Sequence, residues 1–136
     1  MSSTYNDVRA AIEGRIAAEM ASAPSYPVAY PNVPFTPPNN LPWLQVSLTF
    51  GDNSYATLIG FNKQNGLLTV NTFTPVGNGA AANYTIAERI KDLFDRQTVS
   101  SIIFDAASGP NIITPSEPEA AYLQTQLTIT FEAYLD

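Results

Sequence analysis

Few side chains in this sequence have the type and spacing that enzyme chemistry requires. The chain contains no histidine and no cysteine, which excludes imidazole and thiolate metal sites, thiol nucleophiles and histidine-based catalytic triads. Paired carboxylates could act as general acid and base, and the nearest pairs are Asp92 with Asp95 and Glu117 with Glu119. The first pair alternates with basic residues on a predicted helix face and the second lies in a proline-rich turn, so we interpret both as solvated. The sequence predicts a non-enzymatic protein with no catalytic residues.

The segment Gly77, Asn78 and Gly79 precedes a predicted helix and could in principle hold a phosphate, because helix N-termini attract anions. It lacks the following Lys-Ser/Thr of a P-loop and the third glycine of a dinucleotide-binding fold. A turn that leads into a helix explains these residues completely. No acidic segment has the spacing of an EF-hand loop, so the sequence predicts neither a cofactor nor a metal.

The composition favours a protein that assembles with others. With 136 residues, of which 45% are hydrophobic, the chain can form one domain with a real core. Charged residues are only 13%, so the surface is rich in Asn, Gln, Ser and Thr, like the charge-depleted centre of an interface. An ordinary acidic domain with neutral polar surfaces is the alternative. The net charge of −6, with six cations, argues against tight nucleic-acid binding.

The N-terminal half of the chain predicts a helix, an arm and a set of strands. Residues 4–22 carry an apolar residue every fourth position and a possible capping box at Thr4 and Asp7, which predicts an amphipathic helix. Residues 23–42 contain seven prolines and must form an extended arm. Residues 43–50 alternate as a half-buried strand, and 55–61 form a second candidate strand. Asn65 and Gly66 predict a type I′ hairpin turn, so residues 67–74 would form a third strand paired back on the second.

The C-terminal half predicts a loop at 75–82, a second helix at 83–96, a short strand at 99–104 and a closing strand at 124–135. Hairpin-linked strands with one polar face indicate an antiparallel sheet. The predicted fold class is therefore α+β, with an antiparallel or mixed β-sheet and two α-helices packed on one face. The polar N-terminus, with neither a signal sequence nor a membrane span, predicts a protein made and kept in the cytoplasm.

Two blocks of this sequence resemble the phage tail terminator family. Residues 30–38 read Tyr-Pro-Asn-Val-Pro-Phe-Thr-Pro-Pro and precede Pro42, Trp43 and a strand, similar to that family's proline-rich signature. Residues 64–79 contain Gln-Asn-Gly-Leu-Leu followed by a Phe, Pro and Gly pattern and then a helix, which resembles the family's second block. Together with the first helix and closing strand, the resemblance covers nearly the whole chain. Between residues 98 and 124 it is one of pattern only.

The resemblance implies a function as a virion protein. Such a protein would form a homo-oligomeric ring, a hexamer, on the head-proximal end of the tail tube after assembly in the host cytoplasm. The ring would stop polymerisation of the tail tube protein and present a surface to the head-completion or connector protein. Genomic DNA would pass through its lumen without specific binding, which agrees with an acidic chain. No membrane partner is expected.

The aromatic residues of the arm suggest a contact surface, because a stiff backbone with large rings loses little entropy on docking. The arm could wrap its own domain or a neighbouring subunit, and the loop at 75–82 is a second candidate contact or a plain connection. Other virion connector or neck subunits, and a monomeric small-ligand binding domain, remain alternatives. The candidate interface residues are Tyr26, Tyr30, Asn32, Phe35, Trp43, Pro75, Gly77, Asn78 and Gly79.

Overall fold

The structure is a computed structural model, and it describes residues 4–38, 41–55, 62–77, 79–113 and 122–135, with only the backbone described for 52–55. Two helices and seven strands lie within these ranges, which confirms the predicted α+β class. The elements in chain order are α1 (Tyr5–Met20), β1 (Val28–Ala29), β2 (Trp43–Tyr55), β3 (Asn62–Pro75), α2 (Ala81–Phe94), β4 (Thr98–Val99), β5 (Ile102–Phe104), β6 (Ser108–Ile113) and β7 (Tyr122–Leu135).

Helix α1 begins at the predicted capping box. The Asp7 backbone N–H donates to Thr4 Oγ1 at 3.1 Å, and the Thr4 N–H donates to Asp7 Oδ2 at 3.0 Å, so two N–H groups at the start of the helix are satisfied. The helix ends four residues before Pro24. Its apolar stripe is fully packed, with Val8, Ile12, Ile16 and Met20 all buried.

The sheet is mixed, in the order β1-β2-β3-β7-β5-β4. Strand β1 pairs in parallel with β2, whereas all other described pairs are antiparallel. Strands β3 and β7 form its centre and pair along their whole lengths. Strand β6 pairs with β7 beyond the end of β5, so these two short strands lie along the same side of β7.

Both helices cover the same face of the sheet, as predicted, because residues from α1, α2 and the alternating positions of β2, β3 and β7 form one buried cluster. We call this the helix face and the opposite side the bare face. The predicted apolar positions of α2 and of the closing strand lie in this core. The buried members of the cluster from the three long strands are Leu44, Val46, Leu68, Val70, Leu127, Ile129, Phe131, Ala133 and Leu135.

The predicted hairpin at Asn65 and Gly66 is wrong. Both residues lie inside β3, where Gly66 pairs with Phe50 of β2 and with Phe131 of β7. Gly66 does not have positive φ; it is needed for space, since a Cβ there would lie 2.3 Å from Cζ of Phe131. The predicted strand at 67–74 is therefore the second half of one long strand that pairs with residues 43–50.

Two other strand predictions also differ from the structure. Of the candidate strand at 55–61, Tyr55 is the last residue of β2 and residues 56–61 lie outside the described residues. The predicted strand at 99–104 is a tight hairpin of β4 and β5, in which Val99 pairs with Ile102. Ser100 turns the chain with a φ of 56°, a left-handed conformation that serine seldom adopts and that the apolar pattern did not indicate.

A buried polar cluster joins α2 to the two central strands. Asn83 is fully buried and accepts a hydrogen bond from Thr74 Oγ1 at 2.5 Å. Its amide nitrogen lies 3.3 Å from the Thr72 carbonyl oxygen, 3.1 Å from that of Leu123 and 3.5 Å from Thr125 Oγ1. The Asn83 side chain therefore fixes the first turn of α2 to both β3 and β7.

Candidate assembly surfaces

The carboxylates considered for catalysis do not converge. Asp92 is exposed, whereas the Asp95 carboxylate accepts a hydrogen bond from the Ala107 backbone N–H at 2.7 Å. That hydrogen bond, together with the nearby Arg96 and Lys91, lowers the pKa of Asp95. Its contacts therefore join the end of α2 to the segment before β6. Glu117 and Glu119 lie outside the described residues.

Within the described part of the chain, no group of three or more histidine, cysteine, aspartate or glutamate residues could hold a metal ion. In the same ranges, no helix has the length and hydropathy that crossing a membrane requires.

The first half of the proline-rich arm packs on its own domain. Tyr26, Val28 and Tyr30 contact the hydrophobic core, and the Leu44 N–H donates to the Pro27 carbonyl oxygen at 3.0 Å. Burial, and then the nearby carboxylate of Glu13, raise the pKa of Tyr30. Tyr26 and Tyr30 therefore hold the first half of the arm against its own domain. This is one of the two alternatives that the sequence left open.

Arg89 on α2 fixes the point where the arm leaves α1. Its guanidinium forms an ion pair with Glu19 at 2.9 Å and donates to the carbonyl oxygens of Glu19, Ser22 and Pro24 at 3.2, 3.4 and 2.7 Å. No basic residue lies in the last turn of α1, so Arg89 supplies the positive charge that a helix C-terminus favours. The Arg89 side chain thus fixes the direction in which the arm leaves α1.

The second half of the arm ends on an aromatic stack on the bare face. Phe35 lies against Trp43, with ring centroids 5.2 Å apart, and Trp43 stacks on Phe73 at 4.2 Å. The Tyr122 ring meets Trp43 edge-on at 6.1 Å, and its hydroxyl donates to the Pro38 carbonyl oxygen. The structure therefore brings together the predicted Phe35 and Trp43, and adds Phe73 and Tyr122, which the sequence did not single out.

The other predicted interface residues have different surroundings. Pro75 is buried at the end of β3, beside the aromatic stack through its pairing with Tyr122. Gly77 and Gly79 are exposed, with φ of 93° and 76°, and Asn32 is an exposed arm residue with φ of 59°. Asn78 lies outside the described residues. Phe35, Trp43 and Pro75 thus share one end of the sheet, so the arm and the loop at 75–82 meet there.

The bare face is polar and almost uncharged. Three amide side chains form a ladder across it: the Asn71 amide donates to Gln45 at 3.3 Å, and the Gln124 amide donates to Asn71 at 3.0 Å. Away from the aromatic stack, its described charges are Lys63 and Glu132, paired at 3.1 Å, and Asp105, whose carboxylate accepts a hydrogen bond from the Thr130 hydroxyl at 2.7 Å. The hydroxyl and amide residues that alternate onto this face are Gln45, Ser47, Thr49, Thr69, Asn71, Gln124, Gln126, Thr128 and Thr130.

The outer edge of β2 is mostly open. Among the described strands, only β1 pairs with this edge, at Leu44 and Gln45. A groove of about 330 Å³ runs beside it, with Leu48 and Phe50 on its floor and Pro31 at its side. The groove is roofed by α1 residues that include Tyr5, which meets the Phe50 ring at 4.8 Å. This surface has no signature in the sequence, because strand pairing is decided by residues far apart in the chain.

These features describe a small α+β domain with an aromatic stack at one end of its sheet, a polar bare face and a partly open edge at β2. Comparison with known proteins gives its family: the model of the family described as phage tail terminator protein matches residues 7–128. The chain therefore belongs to the phage tail terminator family, a family of structural proteins of the phage tail.

The fold is also similar to that of a solved structure, with a TM-score of 0.73. The two chains are 21% identical, and the match covers 96% of this chain and 95% of the other. This similarity shows the fold alone. The comparison with curated proteins found no match.

Proposed function

We propose that this protein is the tail terminator that forms a closed ring, a hexamer, on the head-proximal end of the tail tube. The ring stops polymerisation of the tube protein and offers its other side to the head-completion or connector protein. The observation that carries this proposal is the family match over residues 7–128. A closed ring requires heterologous contacts, in which one patch of each copy meets a different patch of the next.

The charges of the chain agree with a lumen through which DNA passes without being held. Binding to phosphates needs available cations, but the described basic side chains are largely engaged within the fold. Arg9 pairs with Glu13, Lys63 with Glu132 and Arg89 with Glu19. Arg15 donates to the Leu93 carbonyl oxygen at 2.8 Å. The bare face offers amides and hydroxyls that neither attract nor repel DNA strongly.

For the ring contact we propose the end of the sheet where the arm and the loop at 75–82 meet. Tyr26 and Tyr30 hold the first half of the arm on its own domain. The contact between Phe35 and Trp43 holds the second half on the bare face. The side chains then available to a neighbour include Val33 and Leu41, which are 56% and 58% exposed. The exposed Gly77 and Gly79 complete the described part of this patch. Exposed apolar side chains beside stiff prolines are suited to docking.

The proposal predicts a discrete ring in solution or on tubes. Light scattering coupled to size exclusion should give about six times the mass of 14.7 kDa, and negative-stain images should show a central hole. Purified tail tubes incubated with the protein should stop growing and carry a ring at one end. A protein that stays monomeric and does not bind tubes contradicts the proposal. Binding only to the opposite tube end, or to isolated connectors, would indicate another neck protein.

Charge placed on the arm should break the ring without unfolding the subunit. Val33→Asp and Leu41→Asp are each expected to give folded monomers, because a carboxylate would be buried in the contact of an already acidic chain. Ala10→Asp, on the exposed side of α1, adds the same charge and should leave the ring intact. Circular dichroism checks folding and light scattering gives the mass. Intact rings in both arm variants would refute this interface. These variants are cleaner than Tyr30→Ala, which also removes a core contact.

A further inference from the structure

We infer that the open edge of β2 binds strand β6 of the next copy, so that one sheet continues from subunit to subunit. This inference rests on the proposed ring and adds a strand pairing, between two further patches, to the arm contact proposed above. One patch is the β2 edge over residues 46–50 with its groove. The other is the outer edge of β6 over residues 111–113, which no described strand pairs with.

The β2 edge carries backbone groups directed away from the molecule's own sheet. Alternate residues of an antiparallel strand direct their N–H and C=O groups to opposite sides. The Leu44 N–H donates towards β1, to Pro27, so Val46, Leu48 and Phe50 also direct theirs away from β3. The register with β3 is regular from Trp43 to Phe50 and shifts only after Phe50. These residues therefore offer a regular ladder to an added strand.

This edge lacks the features by which soluble proteins keep a free edge from pairing. Such edges usually carry lysine, proline, a bulge or an inward-pointing charge. Residues 46–50 read Val-Ser-Leu-Thr-Phe and contain none of them, and the irregularity of β2 lies beyond Phe50. An unprotected edge of this kind is suited to receive a strand from a partner.

The side chains of β6 match the groove. Ile112 pairs with Thr125 of β7, a buried residue of the helix face, so Ile112 lies on the helix face as well. It is 48% exposed. In a sheet that continues between copies the helix faces are continuous, and Ile112 would enter the groove above Leu48 and Phe50, beneath Tyr5.

Electrostatics favours the same pair of patches. Copies of a chain with net charge −6 repel one another, so contact is easiest where acidic residues are absent. Residues 46–50 and 108–113 contain no charged residue. At the roof of the groove, Arg9 is neutralised by Glu13 at 3.0 Å. Two neutral edges with backbone donors and acceptors can therefore meet without bringing like charges into direct contact.

Crosslinking tests this pairing directly, because the natural chain has no cysteine. Thr49 and Asn111 are exposed residues of the two edges and both lie on the bare face. The double variant Thr49→Cys/Asn111→Cys, treated with a short bismaleimide, should give a ladder of covalent multimers ending at the ring. Each single variant should remain uncrosslinked. Dimers from Thr49→Cys alone would show β2 pairing with β2 and overturn the inference.

A matched pair of isoleucines supplies the second test. Ile112→Glu should reduce the ring fraction by about tenfold or more at a fixed protein concentration, because an unpaired carboxylate would be buried in the groove. Ile103→Glu alters an isoleucine that is 40% exposed but pairs with Glu132 and so lies on the bare face; its rings should persist. Rings that persist in Ile112→Glu, without crosslinks in the double variant, overturn the pairing and leave the proposed function standing. A natural chain that forms no ring, even on tail tubes, overturns both.

Discussion

Replacing Gly66 with alanine is expected to destabilise the protein by about 3 kcal/mol, at the upper end for overpacked cores. The new methyl group would lie 2.3 to 2.9 Å from three atoms of the Phe131 ring. The ring cannot move away easily, because Phe50 and Phe104 lie against it, with centroids 6.0 and 5.6 Å distant. Either β3 or the aromatic cluster must shift. Urea unfolding followed by circular dichroism measures the loss.

Gly14 provides the matched control for this substitution. It lies in α1 with nothing within 4 Å of its Cβ position, so Gly14→Ala should stabilise the protein by about 0.5–1 kcal/mol through the lower flexibility of the unfolded chain. Adding Phe131→Leu to Gly66→Ala should cost less than the sum of the two single changes, because the smaller side chain makes room. Additive costs, or a Gly66→Ala variant as stable as the natural protein, would contradict the proposed steric role.

Replacing Asn83 with alanine should be similarly damaging, with an expected loss of about 3 kcal/mol. The change removes the acceptor of the Thr74 hydroxyl and the donor to the Thr72 and Leu123 carbonyl oxygens. A buried polar group left without a partner costs about 1–3 kcal/mol, and here several lose a partner together. The first turn of α2 has no side-chain cap of its own, so we also expect faster amide hydrogen exchange there.

Asn65, an exposed asparagine on β3, is the control for the buried Asn83. Asn65 lies on β3 with its side chain exposed, and Asn65→Ala should change stability by no more than about 0.5 kcal/mol. Equal effects at Asn65 and Asn83 would argue against the buried network. Asn83→Ala with normal stability but increased exchange at the start of α2 would restrict its role to local anchoring.

Periodicity predicted most of the fold because it reports burial directly. The fourfold spacing of Val8, Ile12, Ile16 and Met20 fixes one side of a helix, and the twofold alternation from Leu127 to Leu135 fixes one face of a strand. Each pattern extends over several turns or residue pairs, so few other structures are compatible with it. The sequence therefore predicted two helices on one face of a sheet, as observed.

Predictions from short stretches of sequence were wrong or incomplete where a contact with a distant part of the chain determines the structure. Asn65 and Gly66 have the composition of a hairpin turn, but the glycine is there because Phe131, sixty-five residues later in the numbering, needs the space. The aromatic arm shows the same limit: its residues indicated a docked segment, but not whether the arm docks on its own chain. Tyr26 and Tyr30 proved to pack on their own core. The open edge of β2 had no local signature at all.

The composition of the bare face determines how this surface responds to pH. Its central residues are amides and hydroxyls, joined by the Gln45, Asn71 and Gln124 ladder, and none of them gains or loses a proton between mild acid and mild base. The electrostatic potential that these groups create is therefore constant over that range of pH. Acid and alkali act on this protein through its helices, loops and strand ends, and they leave the middle of this face chemically unchanged.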